Sequence, residues 1–236
     1  MISSSRTRGK LIVIEGLDGS GKETQCNLLV QNLKNTLSRP VSKLSFPDYD
    51  CKSSELVKLY LNGQFGLNAR DVNTYASSSF YAIDRFVSYE TKWKSLINSN
   101  YVLVSDRYTT SNLLYQTVKL PTAERDKYID WLLDYEYRLL QIPQPDIVIF
   151  LEVPVDFSQD LIKNRNNKIN NSINKDIHES DRNFLSDVYE NSIKISEKFG
   201  WNVIKCVKNQ KLLSVEEISN TIMNIIRTYF GRYLNS

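Results

Sequence analysis

Short apolar runs recur along the chain, separated by longer segments in which apolar residues return every three or four positions. The runs from Leu11 to Glu15, Val41 to Phe46, Tyr101 to Asp106, Asp146 to Val153 and Asn202 to Val207 have the β-branched and leucine-rich character of strands. Helical spacing covers Glu23 to Leu37, Ser54 to Asn62, Asp71 to Asn98, Thr122 to Leu140, Phe184 to Phe199 and Val215 to Tyr229. The segment Ile147-Val148-Ile149-Phe150-Leu151 shows no polar alternation, so both of its faces are covered. Strands and helices alternating in this order predict a five-stranded parallel sheet flanked by helices, a doubly wound α/β sandwich of three layers. Ligands then belong at the carboxyl ends of the strands.

Two of those ends carry chemistry. The first strand runs into Gly16-Leu17-Asp18-Gly19-Ser20-Gly21-Lys22-Glu23-Thr24, in which four residues separate Gly16 from the Gly21-Lys22 pair. A backbone without Cβ atoms at Gly16, Gly19 and Gly21 can wrap a polyphosphate with its N–H groups turned inward, while the Lys22 ammonium reaches the outer phosphates. The strand before the loop and the amphipathic segment after it supply the context this motif requires. The position after the lysine, ordinarily a Ser or Thr that places a hydroxyl on Mg²⁺, is Glu23; Thr24 lies about 100° further round the helix. Glu23 is therefore a candidate metal ligand, because a carboxylate suits hard Mg²⁺.

The third strand ends in Asp106-Arg107-Tyr108, beside the loop. An acid there holds Mg²⁺, usually through water, and an arginine there clamps a transferring phosphoryl group. On the long segment from Asp71 to Asn98, Tyr81 and Arg85 stand four residues apart and share one helix face. An aromatic plane and a cation together suit a nucleoside monophosphate, base against ring and phosphate against guanidinium.

Composition removes other classes. The formal charge is +3 over 236 residues, with basic and acidic residues interspersed, which argues against a nucleic-acid or membrane-surface protein. Three separated cysteines and one histidine offer neither a zinc site nor a disulfide framework. His178, in a polar stretch, is expected in solvent. The amino-terminal stretch is short, polar and basic, and the apolar run after it is too brief for a signal peptide or a membrane span; a cytoplasmic protein folded as one domain over residues 1–236 is expected.

In these residues the chain resembles the thymidylate kinase family of P-loop nucleoside monophosphate kinases. Asp18 inside the loop, Phe46-Pro47 after the second strand, Arg85 with an aromatic four residues before it, and Asp106-Arg107-Tyr108 followed by Ser111-Asn112 and Tyr115-Gln116 carry the resemblance. So do Pro145-Asp146 and the exit Phe150-Leu151-Glu152-Val153-Pro154. The resemblance implies a P-loop NTPase fold, transfer of phosphate from ATP to dTMP with Mg²⁺, and a homodimer. It implies that Lys22 and the loop amides from Gly16 to Thr24, Ser20 included, hold ATP phosphates. It further implies that Asp18 contacts the sugar 3′-hydroxyl, that Arg85 and Arg107 grip the acceptor phosphate, that Tyr81 stacks on thymine and Phe46 packs beside base and sugar, that Asn112 or Ser111 bonds the base edge, and that Tyr115 crowds the 2′ carbon.

The polar stretch from Arg165 to Arg182 follows the fourth strand and its helix, where the family keeps a lid. Members place a catalytic arginine in the P-loop or in the lid. Gly19-Ser20 offers none, so Arg165 is expected to serve, with Lys168 and Arg182 as alternatives. Phe46-Pro47-Asp48-Tyr49 departs from the family's usual Phe-Pro followed two residues later by arginine. Two other readings are a kinase for a deoxynucleoside or another monophosphate, and a nucleotide-binding module without catalysis.

Overall fold

The computed structural model describes residues 8–163, 177–178 and 181–231. Five parallel strands form one sheet in the order β2-β3-β1-β4-β5: β1 (Lys10–Gly16), β2 (Val41–Ser45), β3 (Val102–Asp106), β4 (Ile147–Glu152) and β5 (Asn202–Lys205). Each lies within two residues of its predicted bounds. The central strand β1 pairs with β3 on one side, Ile14 opposite Asp106, and with β4 on the other, Ile14 opposite Ile149.

Side chains alternate between the sheet's faces with period two, and each face has its own cover. Ile12, Ile14, Val104, Ile149 and Leu151 pack with residues of α1 (Lys22–Thr36) and α9 (Val215–Phe230), among them Leu29, Leu33, Ile222 and Ile226. Leu11, Val13, Leu103 and Val148 pack on Trp93, Ile97 and Tyr108. In α1 the buried positions Lys22, Gln25, Cys26, Leu29, Val30 and Leu33 follow the three-and-four spacing of an amphipathic helix.

The predicted helix from Asp71 to Asn98 begins at α3 (Thr74–Ser88), where the Asn73 side chain accepts the N–H groups of Tyr75 and Ala76. It continues through a π-helical turn (Tyr89–Trp93) into α4 (Lys94–Asn98). The predicted helix from Thr122 to Leu140 is α6 (Thr122–Leu133) followed by a second π-helical turn (Asp134–Leu139). Helices α2 (Glu55–Leu61) and α8 (Arg182–Lys198) complete those foreseen from the spacing, whereas α7 (Val155–Lys163), expected after the fourth strand without bounds, and α5 (Thr109–Tyr115) had no counterpart in the periodicity. The strand foreseen to Val207 ends at Lys205, and a small hairpin, β6 (Val207–Lys208) and β7 (Lys211–Leu212), follows it. Among the described residues no helix is long and apolar enough to cross a membrane. Arg165 and Lys168 lie outside the described residues; Arg182 opens α8 and pairs with Asp156.

Candidate active site

Strand β1 delivers the glycine loop to the amino terminus of α1. Gly19 sits at φ +80, where a Cβ would come within 2.4 Å of the Ser158 carbonyl oxygen, and Gly21, at φ +83, is the residue on which α1 begins. The loop and the first turn of α1, from Gly19 to Thr24, line a cleft of about 400 Å³. The free N–H groups of a helix start and its dipole favour an anion there. Ser20 Oγ is buried and has no hydrogen-bond partner among the described residues, a place that a phosphate oxygen would fill. Lys22 is buried and donates from Nζ to the Leu17 carbonyl at 2.6 Å. Burial, with Arg107 adding to it, holds the Lys22 ammonium down to about 8, against the opposing pull of Asp18 and Asp106. The far wall is apolar, with Leu161 of α7, Leu212 of β7, Leu213 after it and Val215 at the start of α9. Sequence reasoning missed this wall, because a two-residue strand leaves no periodic signal.

At the end of β3, Asp106 borders the same cleft, buried, its carboxylate making no hydrogen bond or ion pair among the described residues. Arg107 follows at φ +65, a left-handed conformation that costs energy for a residue with a Cβ and persists only where its surroundings impose it. Those surroundings centre on Glu15 of β1, fully buried, which accepts the Tyr108 N–H at 3.2 Å and the hydroxyls of Thr110 and Ser111 at 2.6 and 2.9 Å. Burial raises the Glu15 carboxyl, and Arg107 and these donors counter it. Arg107 Nη2 pairs with Asp18 Oδ1. The Tyr115 hydroxyl donates to Asp18 Oδ2 at 3.0 Å and accepts the Asp18 N–H at 3.1 Å.

Behind Arg107 lies an inner cavity lined by Asp18, Phe46, Tyr49, Tyr81, Arg85, Arg107, Ser111, Asn112, Tyr115 and His178. Arg107, Asp18, Phe46 and Tyr49 also border the outer cleft, whereas Arg85 borders the inner cavity alone. Arg85 is buried and bidentate on Glu136, Nε to Oε2 at 2.7 Å and Nη2 to Oε1 at 2.6 Å, with Nη1 3.4 Å from the Tyr108 carbonyl oxygen. Glu136 also accepts from Thr109 at 2.7 Å and from Asn112 at 3.4 Å. Glu136 was missed, although it continues the buried face of Tyr128 and Leu132 at four-residue intervals; a carboxylate in an apolar stripe was the available signal.

His178 is a correction. Expected in solvent, it is only 5% exposed, ringed by Tyr60, Tyr115 and Phe184, with its imidazole pushed down to about 3 by burial. Glu23 lines the outer cleft but is half exposed, 4.0 Å from Lys43 of β2.

The stretch that carries the loop, the acid and arginine at the end of β3 and the walls of both cavities lies within residues 14–220, which match the family model for thymidylate kinase. The chain belongs to the thymidylate kinase family. A probable thymidylate kinase of Thermococcus kodakarensis is 30% identical, the match covering 93% of this chain and 98% of the relative. The thymidylate kinase of Mycobacterium tuberculosis strain H37Rv is 31% identical over 66% of this chain and 71% of its own length. In structure, the thymidylate kinase of Candida albicans superposes with a TM-score of 0.69 at 23% identity, over 94% of this chain and 92% of that one, a likeness of fold. The family activity is the phosphorylation of dTMP to dTDP with ATP as co-substrate, and this chain is a phosphotransferase of that kind.

Proposed function

We propose that the outer cleft holds ATP, that the inner cavity holds dTMP, and that the two phosphates meet at Arg107. The observation that carries this reading is that Arg107, strained and held by Asp18, borders both spaces. Lys22 exchanges the Leu17 carbonyl for the outer phosphates of ATP, and the loop amides from Gly16 to Thr24 hold the remainder. Arg107 takes the acceptor phosphate. Phosphoryl transfer needs little covalent chemistry, so fixed positions and neutralised charge supply most of the rate.

Asp18 receives the 3′-hydroxyl, Tyr81 faces thymine, Phe46 packs beside base and sugar, Tyr115 lies at the 2′ carbon, and Ser111 and Asn112 border the base edge. Arg85 has its charge neutralised by Glu136 before any substrate arrives. Its role moves accordingly from the acceptor phosphate to a hydrogen bond with the neutral base. Leu161, Leu212 and Leu213 face the adenine end. The catalytic arginine absent from the loop is assigned to Arg165.

The donors present fit Mg²⁺. Asp106 offers a carboxylate that makes no hydrogen bond or ion pair among the described residues, and Glu23, 4.0 Å from Lys43, offers a second. That suits an ion that keeps most of its water and binds through phosphates and one or two carboxylates. Bound there, Mg²⁺ supplies neutralisation of the phosphate charge. We further propose one domain, a cytoplasmic location, and a homodimer formed through α2, α3 and the loop between them, where Leu56 and Leu59, Ile83, and Phe65 and Leu67 respectively are exposed.

Initial-rate titrations test the arrangement. Arg107→Ala raises KM for dTMP about 100-fold, since a charged partner is lost from a desolvated pair, and leaves KM for ATP within threefold. Equal changes in both constants contradict the placement. In the same titrations Glu23→Thr shifts the Mg²⁺ dependence of the rate; an unchanged dependence makes Glu23 an outward-facing helix residue.

A further inference from the structure

His178 borders the acceptor cavity and takes no part in the roles assigned above. Its place is fixed from the preceding residue. The Ile177 N–H donates to the Leu61 carbonyl at 3.2 Å, and the Ile177 side chain is buried with Val57, Tyr60 and Leu61. The imidazole then lies nearly parallel to the Tyr115 ring, centroids 5.6 Å apart and planes 20° apart. Tyr60 meets it edge-on, its Oη 3.0 Å from Nε2, and the Phe184 ring lies 5.2 Å away.

Tyr115 is held in two different ways. Its hydroxyl end is hydrogen-bonded twice to Asp18, which fixes a point. Its ring plane is set by what packs on it, which among the described residues includes the imidazole, the Arg107 guanidinium 5.3 Å from the centroid and Phe184 at 6.4 Å. Of these, Arg107 is committed to Asp18 and, on the reading above, to the acceptor phosphate.

We propose that His178 is a positioning residue that fixes the plane of Tyr115 and so sets the preference of the acceptor site for 2′-deoxynucleotides over ribonucleotides. The inference rests on the placement of Tyr115 at the 2′ carbon. A wall excludes one hydroxyl group only if it does not yield, and close-packed interiors hold rings in place because there is no space behind them. Removal of the imidazole opens that space, and Tyr115, still tied at its hydroxyl, can tilt into it. Burial, reinforced by Lys119 and Arg107 and opposed by Asp18, keeps the imidazole neutral, so the stack is one of uncharged rings at neutral pH.

The test compares kcat/KM for dTMP with that for ribothymidine 5′-monophosphate. His178→Gln keeps a hydrogen-bonding group toward Tyr60 and removes the ring; His178→Phe keeps a ring and removes the hydrogen bond. The deoxy preference falls about tenfold in His178→Gln, the scale of a small steric change in a pocket, and stays within twofold of wild type in His178→Phe. KM for ATP is unchanged in both. An unchanged preference in His178→Gln overturns the inference, as does an equal loss in both variants. A purely structural role lowers melting temperature and both rates together and leaves the ratio as it was. Where His178→Gln does not fold, His178→Leu fills the volume without a planar face and carries the same expectation. The placement of Tyr115 fails separately, if wild type shows no deoxy preference or if Tyr115→Ala retains it.

Discussion

Lys22→Ala lowers kcat by about 10³-fold or more at saturating ATP, because the only ammonium in the phosphate loop is lost from a site where burial makes each charge count. Folding does not account for the loss. The buried ammonium lies at about 8, below its ordinary value of about 10.5, so the folded protein disfavours the charged form at neutral pH. Between pH 8 and about 10.5 the unfolded chain binds more protons than the native one, and stability rises with pH across that window. Lys22→Met, which removes the charge and keeps the volume, therefore melts no lower than wild type at pH 7 and loses its advantage as pH rises through the window. A loss of rate below tenfold, or a melting temperature that collapses at pH 7, contradicts this assignment.

Glu136→Ala produces the largest loss of stability. It leaves Arg85 buried with its charge uncompensated, and also strips Thr109 and Asn112 of an acceptor. Breaking a buried pair from one side costs about 3–5 kcal/mol, which in a chain of this size lowers the melting temperature by about 10 °C. Replacing both partners by apolar residues, Arg85→Met with Glu136→Leu, restores most of the stability, because no buried charge remains. The restored protein still binds dTMP weakly, since the donor toward the base is gone. Differential scanning calorimetry with dTMP titrations separates the two effects. A single variant that melts within 2 °C of wild type shows the pair to be dispensable.

Legibility in the sequence followed how local each signal was. The strands, the phosphate loop and the Asp106-Arg107 pair are contiguous strings whose pattern and geometry belong to the same few residues. Helix α5 was not legible: Thr109-Thr110-Ser111-Asn112 has poor helix propensity, and the helix is supported by the Glu15 carboxylate from another strand, which accepts donors at its amino end. Glu15 itself ended an apolar run, and its partners lie some ninety residues on. Arg85 was visible as a cation on a helix face. Its neutralisation was not, because Glu136 comes from the turn after α6. His178 sits among polar neighbours in sequence and among aromatic rings from α2, α5 and α8 in space. Residues placed by long-range packing leave little trace in their own neighbourhood.

The most direct test of the acceptor pocket framed by Tyr81, Arg107, Asn112 and Tyr115 is a coupled assay of ADP formation. It runs with ATP and Mg²⁺ against dTMP, dUMP, dCMP, dGMP, AMP and thymidine in parallel. A dominant rate with dTMP, with dTDP as product, is the predicted result. Turnover of thymidine without turnover of dTMP, or ATP binding with no turnover of any acceptor, contradicts it.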